Sequence, residues 1–235
     1  MKNFITRKEI KYKLDKNTYE KLISEIGEFV VPDKYSFQRI HNIYLDNHND
    51  EIIEHSISKP KFKQKLRLRS YGENPGISSD IYIELKIKLN GIGYKKRGNI
   101  SFDEYSKIID GNCLGDIQIL SDDQSCMDIK NFANKTGCFP KICIGYDRHS
   151  FVAKDNSDLK ITFDTNLTGR KIDLDLRSSK EDEPFFTETT YIMEIKTSVG
   201  YPMWLTRILN ENKIFPITFS KIGTYYLNSL VQSNS

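Results

Sequence analysis

Lys65-Leu66-Arg67-Leu68-Arg69-Ser70-Tyr71 alternates cation with leucine over its first five residues. A β-strand repeats every two residues, so Lys65, Arg67 and Arg69 share one face and Leu66 and Leu68 the other. The same alternation of charged with apolar residues recurs along the chain, and both signs of charge occur on the charged face. Strands that all carry charge on one side can curl so that this side lines a wet, cationic tunnel. Helices then cover the leucine side. The expected fold is α+β, an antiparallel β-barrel tunnel flanked by helices, and such a lumen calls for a polyanionic ligand.

The chain has 235 residues, long enough for one β-rich domain with a substantial core. A single domain over 1–235, ordered from about 4 to 231, is expected, because no repeat or long linker interrupts it. No apolar run is long enough to cross a bilayer and no signal-peptide core follows Met1. The expected location is cytoplasmic, with association to a membrane through a partner left open. A net charge of +3 argues against a nucleic-acid binder, which usually carries a larger excess or a basic tail. The four cysteines form no C-x-x-C pair and read as reduced thiols.

In chain order, Arg7 to Leu14 alternates as a strand. Asp15 reads as the N-cap of a helix running to about Phe29 and ended by Pro32-Asp33. Strands are expected at Gln38–Asp46, Phe62–Tyr71, Ile81–Leu89, Lys141–Ala153, Leu159–Asp164 and Tyr191–Lys196. Gly72 to Asp80 reads as the loop of a hairpin, and Asn90 to Gly93 as a turn leading into Tyr94–Ile100. Helices are expected at Phe102–Asp110, from Ile117 to Lys135, at Pro202–Asn212 and from Ser220-Lys221 to about Val231. Asn47–Ser58 reads as a short helix or turn, and 170–188 gives no clear pattern.

The charged faces collect Lys65, Arg67 and Arg69; Lys95 and Arg97; Tyr146 and Arg148; and Lys160. Three strands repeat Glu-x-Lys, at Glu9 and Lys11, Glu84 and Lys86, and Glu194 and Lys196. A sheet with one solvated face would also pair Glu with Lys across strands. Three Glu-x-Lys units beside the arginines exceed what solubility needs. Arg forks onto phosphate oxygens and Lys supplies a movable point charge. Carboxylates among cations repel a polyanion, but can hold a divalent metal that bridges phosphate oxygens. Hard oxygen donors point to magnesium or manganese. The four histidines are scattered, with no arrangement for a covalent nucleophile, and Gly91-x-Gly93 lacks the Lys-Ser/Thr of a P-loop.

Several motifs in this order carry a family resemblance: Arg7-x-Glu9-x-Lys11-Tyr12, Ile43-Tyr44-Leu45-Asp46, Lys65 to Gly72, Glu84-Leu85-Lys86, Lys95-x-Arg97, Tyr146-x-Arg148, Ile161-Thr162-Phe163-Asp164, Glu194-Ile195-Lys196, Pro202-x-Trp204 and Phe219-Ser220-Lys221. With them the chain resembles the VTC domain of polyphosphate polymerases, a branch of the CYTH-like triphosphate tunnel metalloenzymes. The resemblance implies transfer of the terminal phosphoryl group of ATP to a growing inorganic polyphosphate chain, with Mn2+ or Mg2+. It implies phosphate contacts at Lys11, Arg67, Arg69, Lys86, Lys95, Arg148, Lys196 and Lys221, with Lys65, Arg97, Tyr146, Lys160 and Ser220 in support. Glu194 would be the main metal ligand, joined by Glu9 and Glu84. Arg7 replaces the first Glu of the wider superfamily, as is usual in the VTC branch, which favours a polymerase over hydrolytic relatives. Lys160 stands where Arg is expected and Ile222 where Tyr is common. The resemblance also suggests a stand-alone bacterial form docking on a separate membrane protein. Other readings are a tunnel-type triphosphatase or nucleotide hydrolase, and a non-catalytic polyphosphate-binding module.

Overall fold

The computed structural model describes residues 8–73, 79–155, 158–178 and 182–233. Arg7, part of the loop after Tyr71 and part of the 170–188 segment lie outside the described residues. The strands are β1 (Lys8–Asp15), β2 (Val30–Asp46), β3 (Phe62–Tyr71), β4 (Ile81–Leu89), β5 (Ile92–Ile100), β6 (Phe139–Ala153), β7 (Lys160–Arg170), β8 (Glu183–Pro184) and β9 (Thr190–Thr197). The helices are α1 (Lys16–Ile26), α2 (Glu51–Ile57), α3 (Phe102–Ile109), α4 (Asp123–Thr136), α5 (Met203–Glu211) and α6 (Lys221–Ser233). The architecture is α+β and antiparallel, as the alternation implies. The strand order is β1-β9-β7-β6-β2-β3-β4-β5, with β8 beside β7.

The chain divides into two compact units. The first holds Met1–Gln38, Tyr146–Leu167 and Phe186–Phe219, and the second Arg39–Gly145, Thr168–Phe185 and Ser220–Ser235. Each has its own apolar core. In the second unit Leu66 and Leu68 of β3 and Ile81, Ile83 and Leu85 of β4 pack with Tyr105 and Ile108 of α3 and Ile129 of α4. In the first, Tyr12 and Leu14, Ile161 and Phe163, and Met193 and Ile195 pack with Leu22 and Ile26 of α1 and Leu205 and Ile208 of α5. In both, the apolar side of each alternating strand goes under helices, which leaves its charged side for another use.

Helix starts follow local chemistry. Asp15 accepts from the Thr18 N–H at 2.7 Å, and Asp122 from the Ser125 N–H at 2.7 Å. Two expectations need correction. The first helix stops at Ile26, and β2 begins at Val30, so Pro32 and Asp33 lie within a strand. The fixed φ of Pro suits extended backbone as well as a helix end. Ile117 to Leu120 is not helical. Asn99 and Leu120 exchange both backbone hydrogen bonds, at 2.9 and 2.7 Å, and only after Asp122 does α4 begin. Ile117 and Ile119 are both buried, a period of two that fits a bridge to β5.

Candidate functional site

In the second unit, strand register turns the alternating charges into cross-strand rows. Lys65 lies opposite Lys86, and Lys86 opposite Lys95. The next row runs Tyr44, Arg67, Glu84, Arg97, and the one after it Asn42, Arg69, Tyr82, Asn99. Glu84 is fully buried at the centre. Its Oε2 accepts from Arg67 Nε at 2.9 Å and Nη2 at 2.7 Å, and lies 3.7 Å from Arg69 Nε. Its Oε1 accepts from Arg97 Nε at 2.7 Å and lies 3.3 Å from Lys95 Nζ. Burial alone would raise its pKa, but the surrounding Arg67, Arg69, Lys95 and Arg97 hold the carboxyl well below the usual range. Four cations converge on one carboxylate, so this face is strongly positive.

Neutral side chains hold the guanidinium groups in place. Arg67 donates to the Tyr44 hydroxyl at 3.2 Å, Arg69 to Asn42 Oδ1 at 2.9 Å, and Arg97 to the Tyr71 hydroxyl at 2.8 Å. The Arg97 guanidinium also lies 4.2 Å from the Tyr82 ring centre. Burial alone would raise the Tyr71 phenol, but Arg69 and Arg97 bring its pKa down. Lys65 donates to Ser220 Oγ at 2.9 Å, and Lys221 is buried at the first position of α6. Lys86 is exposed.

The first unit assembles a different set. Register places Lys11, Glu194 and Thr162 in one row and Glu9, Lys196 and Lys160 in the next. Glu194 is nearly buried, with Oε1 3.2 Å from Lys11 Nζ and Oε2 3.1 Å from Lys196 Nζ and 3.3 Å from Arg148 Nη2. Lys11 is also 3.4 Å from Glu9, and Lys196 3.7 Å from it. Arg148 forks onto Asp164, with bonds of 2.5 and 2.7 Å, and its guanidinium lies 5.3 Å from the Tyr146 ring centre. Burial opposes the charge of Arg148, but Asp164, Tyr146 and Glu194 raise its pKa well above the ordinary value. Lys160 pairs with Asp33, whose carboxyl is pulled down chiefly by that bond. Here cations and carboxylates balance.

The expected residues divide between the two units. Lys65, Arg67, Arg69, Glu84, Lys86, Lys95, Arg97, Ser220 and Lys221 belong to the second unit, and Glu9, Lys11, Tyr146, Arg148, Lys160, Glu194 and Lys196 to the first. Glu84, expected among metal ligands, has both oxygens engaged by cations. Partners that the sequence reading gave no role are Asp164, Asp33, Asn42, Tyr44 and Tyr71. Asp164 was readable, since it shares strand parity with Lys160.

Among the described residues no three His, Cys, Asp or Glu side chains gather as a metal group. Glu9 and Glu194 nevertheless share two ammonium groups, Lys11 and Lys196, as countercations. Magnesium is commonly held by one or two carboxylates together with substrate phosphate oxygens. Glu9 and Glu194 are oxygen donors of the type such an ion takes, each held in this structure by Lys11 and Lys196, and Glu194 also by Arg148.

The family profile described as VTC domain matches residues 6–228. No curated protein matches the sequence. Among solved structures, a candidate adenylate cyclase from Bacillus halodurans aligns with TM-score 0.54 at 13% identity, covering 92% of this chain and 95% of that one. Another candidate adenylate cyclase, from Vibrio parahaemolyticus, aligns with TM-score 0.50 at 11% identity, covering 94% of this chain and 98% of that one. At such identities the likeness is one of fold alone.

Proposed function

The chain belongs to the VTC-domain family, and on that premise we propose that it is a metal-dependent polyphosphate polymerase. It transfers the terminal phosphoryl group of ATP to a growing inorganic polyphosphate chain. The coarser statement, an enzyme of the tunnel fold with phosphate or nucleotide chemistry, follows from the family itself. The match spans both units, which this reading takes together as one domain.

The observation that carries the proposal is the convergence of Arg67, Arg69, Lys95 and Arg97 on Glu84. One buried carboxylate orders four cations before any ligand arrives, so little reorganisation accompanies polyanion binding. In this reading Glu84 anchors the arginines. Lys65, Lys86 and Lys221, with Ser220, extend the phosphate contacts.

In the first unit, Lys11, Lys196 and Arg148 offset charge on the transferring group, with Tyr146 and Lys160 beside them. Glu194 and Glu9 would hold the divalent ion, which would polarise phosphate oxygens and neutralise developing charge. Phosphoryl transfer to an acceptor that is already an ionised phosphate needs positioning and no general base. That separates a polymerase from a hydrolase, which must position and deprotonate water. Glu194, Asp164 and Glu9 are each already engaged by cations, an arrangement better suited to holding charge than to taking a proton.

The test is purified protein with ATP and manganese, resolved on a gel that separates polyphosphate from free phosphate. Polyphosphate is expected. Free phosphate alone would mean a hydrolase, and tight triphosphate binding without turnover a binding module. Glu194→Gln is expected to fold and to bind triphosphate at least as well without metal, because a negative charge is gone. Its turnover should fall by about two orders of magnitude, or about 3 kcal/mol of barrier. Near-parental turnover with manganese would refute the metal role of Glu194.

A further inference from the structure

We propose that the β4–β5 hairpin tip, with the Lys59–Phe62 bend beside it, is a docking surface for an anionic lipid membrane. This reading does not depend on the reaction proposed above. Asn90 and Gly91 take consecutive left-handed conformations, φ 48° and 87°, as a two-residue hairpin turn requires. The Asn90 N–H donates to the Lys61 carbonyl at 2.8 Å, which ties the bend to the turn. Register sets Phe62 opposite Leu89 and Leu89 opposite Ile92, in one row across three strands.

This row lies on the sheet face that carries Leu66 and Leu85. Those two are buried in the helix-covered core, whereas the row at the tip is not. Phe62 is 46% exposed, Leu89 44%, Ile92 39%, and Tyr94, next along that face, 38%. Such a contiguous apolar row in water marks an interaction surface.

The surrounding charge identifies the occupant. Lys59 and Lys61, in the bend beside the row, are exposed. No Asp or Glu occurs between His55 and Gly72 or between Leu85 and Phe102. A carboxylate that α4 brings to this face, Asp128, pairs with Lys96 at 3.2 Å. Apolar side chains flanked by lysines suit a membrane of negative surface potential, which takes the first below its headgroups and attracts the second. A second copy docking through the same patch would set lysines against lysines. Among the described residues no helix is long and apolar enough to cross a membrane, so the contact proposed is peripheral.

The experiment is co-sedimentation of the full chain with vesicles of phosphatidylcholine alone and with vesicles that also contain phosphatidylserine. Binding is expected only to the second kind, and it should weaken with salt. Leu89→Ser combined with Ile92→Ser should lower the partition about tenfold. Lys59→Glu combined with Lys61→Glu should lower it at least as much. All four positions are exposed, so unfolding transitions should stay near the parent's. Equal binding to both vesicles, no binding, or parental binding by Leu89→Ser/Ile92→Ser would overturn the proposal. So would a concentration-dependent dimer that this double variant abolishes, which would give the patch to a second copy.

Discussion

Glu84 is the residue on which the second unit's charges depend. Removing one partner of a buried charge group leaves the others uncompensated, so Glu84→Ala should cost about 3–5 kcal/mol of stability. Urea unfolding should show the same loss with and without divalent metal; a loss seen only with metal would make Glu84 a ligand after all. Its carboxyl is held below the ordinary 4.5, so its contribution is full above pH 4.5 and is lost as pH falls toward the folded value. Glu84→Gln should therefore flatten the fall of stability below that pH. Arg67→Ala should weaken triphosphate binding by about 1.5–3 kcal/mol, measured by titration calorimetry. Parity alone suggests that losing a cation from a crowded face spares the fold. The register argues otherwise: Arg67 makes two of the bonds to Glu84, so a further stability loss of about 1–3 kcal/mol is expected. The sequence revealed which residues share a face, because the side-chain period is two. It could not reveal which of them touch, because neighbours across strands depend on register. That is why the Arg148–Asp164 fork and the Tyr44–Arg67 bond emerged only from the structure.

Among elements, the long alternating strands were legible and the segments between them less so. Val30 to Gln38 mixes Pro32, charges and aromatics without clean alternation, which hid the first half of β2 and with it the Asp33 partner of Lys160. Ile117 to Leu120 was hidden by proximity to a strongly capped helix. Helix α6 poses a sharper question, since Ser220 and Lys221 stand at its start. It packs Tyr225 against Gly169 of β7, where an added Cβ would come within 2.6 Å of the ring. Gly169→Ala should therefore displace the helix, at about 1–3 kcal/mol. Thermal unfolding would report the loss, and faster amide exchange in α6 would place it; unchanged exchange there would mean the ring turns aside without moving the helix.

For the molecule as a whole, the uneven allocation of charge matters more than the modest net +3. Around Glu84 four cations gather on one carboxylate, whereas around Glu194 cations and carboxylates balance. Composition averages these together, so the total hid the contrast. Triphosphate affinity should accordingly fall steeply with ionic strength, as screening predicts for partly exposed cations. An affinity flat from low to high salt, read by titration calorimetry, would remove electrostatics as its source. The two cores were legible as alternation, but their division was not, because β2, β6 and β7 each contribute residues to both units. The β1–β9 ladder has a consequence for synthesis. β3, β4 and β5 follow one another and can pair as soon as they leave the ribosome, whereas Lys8 waits for Thr197. Contacts this distant in sequence form late and slowly. β1, made long before β9, is thus among the last strands to find its ladder, and during translation it stands exposed to chaperones and to neighbouring nascent chains.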